Sequence, residues 1–184
     1  MLVFVDTNIW YPISIADLTL RSVEVGMFEL AWSDELIAEI ERVAVDKKGL
    51  DPLKARVFIE QIKTTAPAGR VNPSSYVNLV NQMVGRDPDD HIFSAAVQGG
   101  KIDVLLTENI VDFPEADLGP IAKALRPDEF FSGLLKTFPL EFVTIIKEIS
   151  ANLRRPKMSE IEVLERLENW GMHEFAKQMR DLLA

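Results

Sequence analysis

The sequence predicts an α/β fold in which a mostly parallel central sheet is flanked by helices and followed by an all-helical appendage. Residues 2–5 form a short, continuous apolar run, and in residues 103–106 three apolar residues follow Asp103, as expected of buried parallel strands. The stretches between them carry helical patterns, and strands that alternate with helices build parallel sheets. After about residue 134 only helical patterns occur. We therefore predict an α/β domain over residues 1–133 and a helical extension over residues 134–184.

In the first half of the chain, apolar spacing and capping residues define the elements. Gly26 ends or bends the first helix. Ser33 is a good N-cap for an amphipathic helix, and Asp51 followed by Pro52 begins another. The predicted elements are a helix over residues 17–28, a strand over residues 30–32, a helix over residues 33–47 and a helix from residue 51 to residue 66.

In the second half, glycine and proline residues separate the elements. Gly85 ends a short helical segment over residues 72–84, and Gly99 with Gly100 ends a helix that begins near residue 89. The strand over residues 103–106 follows. The helices predicted after it cover residues 130–136, 140–153, 159–170 and 173–183.

Length and composition predict a globular protein that does not enter a membrane. With 184 residues, 47% of them hydrophobic, the chain can bury a sizeable core. The absence of cysteine excludes disulfides and thiolate metal sites. No basic region precedes a cleavable apolar segment, and no apolar stretch approaches the roughly 20 residues that span a bilayer, so a cytoplasmic location is expected.

The net charge of −9 argues against nucleic-acid binding, because phosphate contacts normally come from clustered lysine and arginine. Several carboxylates converging on divalent cations would explain part of this charge, since a bound metal reverses the local potential. Arg86 is a candidate for contact with a phosphate. The one compact basic run, residues 154–157, is interpreted as a solvated turn between helices.

Four acidic residues lie far apart along the chain, each in a setting that brings a carboxylate to one end of the sheet. Asp6 directly follows the first apolar run, and ligands of open α/β sheets bind beyond the carboxyl ends of the strands. Glu39 lies beside the apolar stripe of its helix. Asp90 begins a helix, and Asp112 comes shortly after the strand over residues 103–106. The sequence therefore predicts one carboxylate cluster.

Such a cluster predicts metal-dependent chemistry. Ionised carboxylates at short range raise one another's pKa and oppose folding, and a bound Mg²⁺ or Mn²⁺ removes that cost. Hard divalent ions prefer oxygen ligands, and Mg²⁺ takes only one or two carboxylates while keeping several waters. Hydrolysis of a phosphodiester by a metal-activated water needs no serine, cysteine or histidine nucleophile. A chain with no cysteine and two histidines fits this chemistry.

The motifs around the four acids resemble those of PIN-domain ribonucleases, of the kind found as VapC-type toxins in toxin–antitoxin pairs. The matching segments are residues 5–8, 33–40, 87–96, 107–113 and 127–130. The resemblance covers roughly residues 1–135 and extends to a subgroup of the family with a C-terminal helical extension. It implies a PIN-like three-layer fold.

The resemblance also implies an activity and partners. It implies a Mg²⁺- or Mn²⁺-dependent endoribonuclease whose catalytic residues and metal ligands are Asp6, Glu39, Asp90 and Asp112. Cleavage of the RNA substrate would leave a 5′-phosphate and a 3′-hydroxyl. A cognate antitoxin that blocks the site and a homodimer are expected as well.

Further residues of these motifs are predicted to support the metal ligands. By the resemblance, Thr7, Asn8 and Thr107 would hold the ligands by hydrogen bonds. Many family members have aspartate where this chain has Asn109, which moves the carboxylate to Asp112 and leaves Asn109 to bind a water or orient a ligand.

Neighbouring residues are interpreted as structural. Asp87 is interpreted as a turn residue and Asp89 as a helix N-cap, while His91 is interpreted as a surface or capping residue. Trp10, Tyr11 and Trp32 are expected to pack in the core or against a partner rather than stack on bases.

The sequence is compatible with two other functions. A catalytically weak PIN-like module could act mainly by binding a protein partner through the helical appendage. A metal-dependent phosphatase is the third candidate, although Asp6 lacks the Asp-x-Asp pattern of enzymes that form an aspartyl phosphate. Asparagine at position 6 or 90 should abolish activity under the nuclease hypothesis and leave partner binding intact.

Overall fold

The computed structural model describes residues 1–153 and 156–183, which form two compact units. The first unit contains Met1–Tyr11 and Phe28–Leu125, and the second contains Pro12–Met27 with the described residues from Arg126 onward. The chain therefore leaves the first unit after Tyr11 and returns to it at Phe28. The domain boundary placed between residues 133 and 134 from the sequence stays a prediction.

The first unit is built on a four-stranded sheet in which every neighbouring pair is parallel. The strands are β1 (Leu2–Val5), β2 (Glu29–Ala31), β3 (Val104–Leu106) and β4 (Lys123–Leu125), in the spatial order β2-β1-β3-β4. In the centre of the sheet Phe4 is in register with Ala31 on one side and Leu105 on the other. The predicted parallel α/β fold is confirmed.

Burial explains why three strands could be predicted and one could not. Phe4 in β1 and Leu105 in β3 are completely buried, because strands in the middle of a parallel sheet are covered on both faces. The edge strand β4 has an exposed Lys123 and the low strand propensity of Lys and Ala, so it gives no apolar run in the sequence. Register with β3 makes it a strand.

The helices surround this sheet in the first unit and form the whole of the second. In chain order they are α1 (Ile13–Glu24), α2 (Asp34–Asp46), α3 (Pro52–Thr65), α4 (His91–Gly99), α5 (Glu115–Leu118), α6 (Pro127–Leu135), α7 (Pro139–Asn152), α8 (Glu160–Asn169) and α9 (His173–Leu183). Over the described ranges, none has the length and apolar character needed to cross a membrane.

Most helix boundaries agree with the capping residues, but some segments differ from the prediction. The Ser33 hydroxyl accepts from the Leu36 N–H, and the Asp51 carboxylate accepts from the Leu53 N–H. Residues 72–84 were expected to form one short helical segment, and the structure has two 3₁₀ helices there, at Pro73–Ser75 and Val77–Gln82. Helix α1 begins four residues before the expected residue 17, because its N-cap offers no polar side chain that the sequence would reveal.

The second unit packs α1 and α6–α9 around an aromatic cluster. Phe131, Phe142 and Phe175 meet edge to face, with ring centroids 5.2 to 6.2 Å apart. Asp128 accepts hydrogen bonds from the Glu174 and Phe175 N–H groups, which fixes the start of α9. In the basic run over residues 154–157, Arg154 and Arg155 lie outside the described residues.

Candidate active site

Asp6 is held at the carboxyl end of β1 by hydrogen bonds to both of its oxygens. Its Oδ1 accepts from the Thr7 N–H at 2.7 Å, and its Oδ2 accepts from the Thr107 hydroxyl at 2.6 Å and from Asn8 Nδ2 at 2.5 Å. The backbone N–H of Asp6 donates to the Leu106 carbonyl of β3. The side chain is therefore fixed between the ends of two adjacent strands and is 6% exposed.

Thr107 connects the polar residues that follow β1 and β3. Its buried hydroxyl donates to Asp6 and accepts from Asn8 Nδ2 at 3.3 Å and from the Asn109 N–H at 3.0 Å. The Asn8 carbonyl oxygen in turn accepts from the Glu108 N–H. The structure thus brings Thr7, Asn8 and Thr107 to Asp6, where the sequence placed them.

Asn109 supports Asp112 in place of a second carboxylate. Its Nδ2 donates to Asp112 Oδ2; Asn109 is the N-cap of the short 3₁₀ turn Ile110–Asp112 after β3, and Asp112 is the last residue of that turn. The charge of Asp112 also raises the pKa of Asp6, so the two carboxylates are close enough to interact. The asparagine orients the neighbouring carboxylate without adding charge to it.

Burial dominates the electrostatics of Asp6. Desolvation raises its pKa, the hydrogen bonds from Thr107, Thr7 and Asn8 oppose this, and the charge of Asp112 raises it further. Each Asp6 oxygen can accept two hydrogen bonds. Because Oδ1 accepts only one within the described part of the chain, one acceptor position remains for a further ligand.

Asp90 is a half-buried carboxylate of the cluster, and its pKa is strongly raised. It is the N-cap of α4, half-buried, with no side-chain capping bond; Asp87 rather than Asp89 caps this region, accepting from the Asp89 N–H. Desolvation, and then the charges of Asp6, Asp87, Asp112 and Glu39, raise the pKa of Asp90 to about 7.

Glu39 joins the same electrostatic group from helix α2. Desolvation and the charge of Asp6 raise its pKa, whereas the nearby cations Arg42 and Lys47 lower it. The four acids predicted from the sequence therefore all interact through their charges, although they come from four separate segments of the chain.

A fifth carboxylate, Asp117 of α5, was not singled out in the sequence. It is 2% exposed, and its oxygens accept hydrogen bonds from the Val84 N–H at 3.0 Å and the Gly85 N–H at 2.7 Å. His91 Nε2 lies 2.8 Å from the Gly85 carbonyl oxygen, to which it donates. His91 is thus a residue that fixes the loop. Asp117 gave no signal in the sequence because its partners are backbone groups 32 and 33 residues away.

The site fits a hydrated hard cation better than a closed cage of protein ligands. Within residues 1–153 and 156–183, no group of three or more acidic or histidine side chains is arranged to hold a metal ion. Mg²⁺ takes one or two carboxylates directly and keeps several waters, so carboxylates that raise one another's pKa suit it. The Thr7 hydroxyl, next to Asp6, is buried without a hydrogen-bond partner among the described residues, and ordered water would satisfy it.

The aromatic residues near the site pack in the protein. Trp10 is buried, donates from Nε1 to the Val5 carbonyl and meets the Phe58 ring edge to face. Trp32 is also buried and donates to the Ala66 carbonyl. Their predicted packing role is confirmed.

Thr107→Val should destabilise the protein because it removes the hydroxyl that donates to Asp6. We expect the free energy of unfolding to fall by about 1–3 kcal/mol at pH 7. The folded-state pKa of Asp6, already above its unfolded value, should rise further, so the loss should shrink in acid, where Asp6 is protonated in both states. Urea denaturation in chelator, at pH 7 and at an acidic pH, measures the two losses of stability.

The matched control for that substitution is Thr64→Val, which replaces an exposed threonine whose hydroxyl bonds only within α3. It should change the free energy of unfolding by less than about 0.5 kcal/mol. Equal effects of the two substitutions would contradict the role assigned to Thr107.

Together, the fold and the site define a parallel α/β protein whose acidic side chains gather beyond the carboxyl ends of its strands. A PIN-domain family model matches residues 2–111, more than half of the chain, and the chain therefore belongs to the PIN-domain family. A second model, described as the VapC50 C-terminal domain, matches residues 127–181. These matches confirm the predicted likeness to VapC-type PIN proteins with a C-terminal extension, a family of toxin nucleases. Comparison with curated proteins and with solved structures gave no match.

Proposed function

We propose that the protein is a metal-dependent endoribonuclease, the toxin of a type II toxin–antitoxin system. The observation that carries this proposal is the mutual electrostatic coupling of Asp6, Glu39, Asp90 and Asp112. Like charges held together without a cation weaken a fold, and proteins keep such arrangements where they bind metals or do chemistry. Membership of a family of VapC-type nucleases supports the same conclusion.

In this proposal the four acids together attract the cation, and one or two of them bind it directly. Asp6 offers the free acceptor position on Oδ1, and Asp90 has no capping bond that would occupy its carboxylate. Asp112, oriented by Asn109, and Glu39 complete the negative surface. When bound, Mg²⁺ or Mn²⁺ supplies a Lewis acid that lowers the pKa of water and offsets charge on the phosphoryl oxygens.

The chain's own residues fix the geometry in which hydrolysis takes place. Thr107 and Asn8 hold Asp6 Oδ2, so this carboxylate keeps one orientation at the end of β1. Side chains that are already held in position lose little conformational freedom when the substrate binds, and this lowers the activation barrier of hydrolysis. The substrate is RNA, and the products carry a 5′-phosphate and a 3′-hydroxyl.

The same proposal includes partners and a location. A cognate antitoxin would cover the acidic site and stop cleavage, and a homodimer would present two such sites to RNA. We place the protein in the cytoplasm, where both RNA and a co-expressed antitoxin would meet it. The helical second unit, of which residues 127–181 match the VapC50 C-terminal domain, is then an accessory part of the toxin.

The test is incubation of the purified protein with total cellular RNA in Mg²⁺, in Mn²⁺ and in excess chelator, followed by mapping of the RNA ends. We expect cleavage with either metal, none in chelator, restoration when metal is added back, and 5′-phosphate ends. Cleavage that persists in chelator would contradict metal dependence.

Contamination by other ribonucleases is the main alternative source of cleavage, and Asp6→Asn prepared in parallel controls for it. This variant should be inactive with both metals. If the wild type and the variant are equally inactive but both bind the same protein partner, the binding-module hypothesis replaces the nuclease. Trapping of a phosphorylated Asp6 would favour the phosphatase hypothesis.

A further inference from the structure

A polar surface groove lies beside the carboxylate cluster in the first unit. Its volume is about 430 Å³, and its lining residues are Arg86, Asp87, Pro88, Asn109, Val111 and Asp112. The groove shares Asp112 with the coupled carboxylates, since the charge of this residue raises the pKa of both Asp6 and Asp90. A ligand in the groove would therefore lie next to the proposed site of cleavage.

Arg86 is the single cation among the residues that line this groove. Its side chain is exposed and forms no ion pair or side-chain hydrogen bond with any residue in the described ranges. By contrast, Arg70 is paired with Asp34, and Arg180 with Glu168, each at 2.5 Å. An arginine left unpaired beside a dense group of acids is available for an anion.

The backbone that carries Arg86 is anchored from the protein interior. The buried Asp117 carboxylate accepts from the N–H groups of Val84 and Gly85, the two residues before Arg86. His91 Nε2 donates to the Gly85 carbonyl at 2.8 Å. Three side-chain-to-backbone hydrogen bonds thus hold the two residues that precede Arg86. The position of the Arg86 backbone therefore does not depend on the ligand.

The two segments that line the groove, residues 86–88 and 109–112, are held close together at Gly85. A Cβ atom added at Gly85 would lie 2.7 Å from the Asp112 carbonyl oxygen and 3.1 Å from Asp117 Oδ2. Only glycine allows this approach, because a side chain would push the backbone of Asp112 away. The distance between Arg86 and Asp112 along the groove is therefore set by the fold.

We propose that this groove binds a backbone phosphate of single-stranded RNA next to the phosphate that is cleaved, with Arg86 as its ligand and Asp117 as the residue that positions Arg86. The guanidinium presents paired N–H donors that match phosphate oxygens. In a chain of net charge −9, one unpaired arginine at the edge of the acids gives the substrate a local attraction. This inference rests on the proposed nuclease function.

The test measures binding apart from cleavage. A fluorescently labelled single-stranded RNA octamer is titrated in Mg²⁺ at several salt concentrations with protein carrying Asp90→Asn, so that the RNA stays intact. Arg86→Ala should weaken binding roughly tenfold, as loss of a charge-assisted hydrogen bond does. It should also reduce the slope of log affinity against log salt by about 0.7, the contribution of one phosphate contact on a single strand.

Two further variants distinguish a specific contact by Arg86 from a general effect of positive charge on RNA affinity. Lys54→Ala removes one positive charge from an exposed position of α3 that does not line the groove, and should change affinity less than about twofold. Arg86→Lys keeps the charge but lacks the paired N–H donors of the guanidinium, so its RNA affinity should lie between those of the wild type and Arg86→Ala. Equal effects of Arg86→Ala and Lys54→Ala would overturn the proposal.

Asp117→Asn tests the positioning role by a double-substitution cycle. If Asp117 acts through Arg86, adding Arg86→Ala to Asp117→Asn should weaken binding much less than Arg86→Ala alone. Fully additive effects would overturn the positioning role. Should Asp117→Asn fail to fold, Gly85→Ala in the same cycle decides it, because that substitution displaces the same loop.

The outcome is distinguishable from failure of the nuclease proposal. Binding that depends on Arg86, in a protein whose wild type shows no metal-dependent cleavage, would support the phosphate site and refute the nuclease. Cleavage by the wild type, together with RNA binding that does not depend on Arg86, would support the nuclease and refute the phosphate site.

Discussion

Asp90→Asn should lower metal-dependent RNA cleavage by roughly 10²- to 10³-fold, as expected when preorganised electrostatic stabilisation is removed. The substitution keeps the shape of the side chain and removes the charge that would hold the cation. Initial rates of cleavage in Mg²⁺ and in Mn²⁺ measure the effect. Asp46→Asn, an exposed aspartate at the end of α2, is the matched control and should cleave as the wild type does.

The same substitution should stabilise the metal-free protein at neutral pH. Burial and the surrounding negative charges raise the pKa of Asp90 to about 7, above its value in the unfolded chain. The folded state then binds the proton more tightly, so stability falls as pH rises from about 4 to about 7. Asparagine has no proton to lose and should remove this part of the pH dependence.

In chelator at pH 7.5 we therefore expect Asp90→Asn to raise the free energy of unfolding by about 1–2 kcal/mol, after allowance for solvent screening of a half-buried group. The gain should vanish near pH 4. Urea denaturation at both pH values tests this, and added Mg²⁺ should stabilise the wild type more than the variant. A variant that is less stable than the wild type at pH 7.5 in chelator, or that cleaves RNA normally, would contradict the role of Asp90.

Phe131→Ala should cause the largest loss of stability in the second unit. Phe131 is completely buried and contacts the rings of Phe130, Phe142 and Phe175. Removing a buried phenyl ring leaves a cavity and ends these contacts, which costs about 3–5 kcal/mol. We expect the free energy of unfolding of this unit to fall by that amount, which moves its unfolding transition to a lower urea concentration.

The control for Phe131→Ala is Leu140→Ala, since Leu140 is 76% exposed in the same unit. It should change the free energy of unfolding by less than about 0.5 kcal/mol. A loss below 1 kcal/mol for Phe131→Ala would mean that the aromatic cluster is not the core of this unit. Circular dichroism follows both transitions.

Local signals were enough to predict the central strands and most helix starts. The apolar runs of β1 and β3 and the caps Ser33 and Asp51 act within a few residues, so they are visible in a sequence. Strand β4 was missed because it depends on pairing with β3 rather than on its own composition. The helical segment over residues 72–84 was predicted without its 3₁₀ character, because 3₁₀ and α-helices share stop signals and differ only in hydrogen-bond spacing.

The acids of the candidate site and the supporting residues Thr7, Asn8 and Thr107 were predictable, whereas Asp117 and Gly85 were not. Asp6 and Asp112 follow strands, and the ends of parallel strands meet at one edge of a sheet. Asp117 and Gly85 act on backbone groups that only the fold brings near. In the sequence Gly85 is indistinguishable from an ordinary helix stop, and Asp117 from a solvated charge.

The passage of the chain out of the first unit at Tyr11 and back at Phe28 limits how the protein can be shortened. A chain cut after Leu125 would keep α1 but lose α7 and α8, the helices against which α1 packs. Buried α1 residues such as Leu18 would then face water and invite aggregation. A soluble fragment that keeps only the first unit must therefore also remove or redesign α1, so a single stop codon will not isolate it.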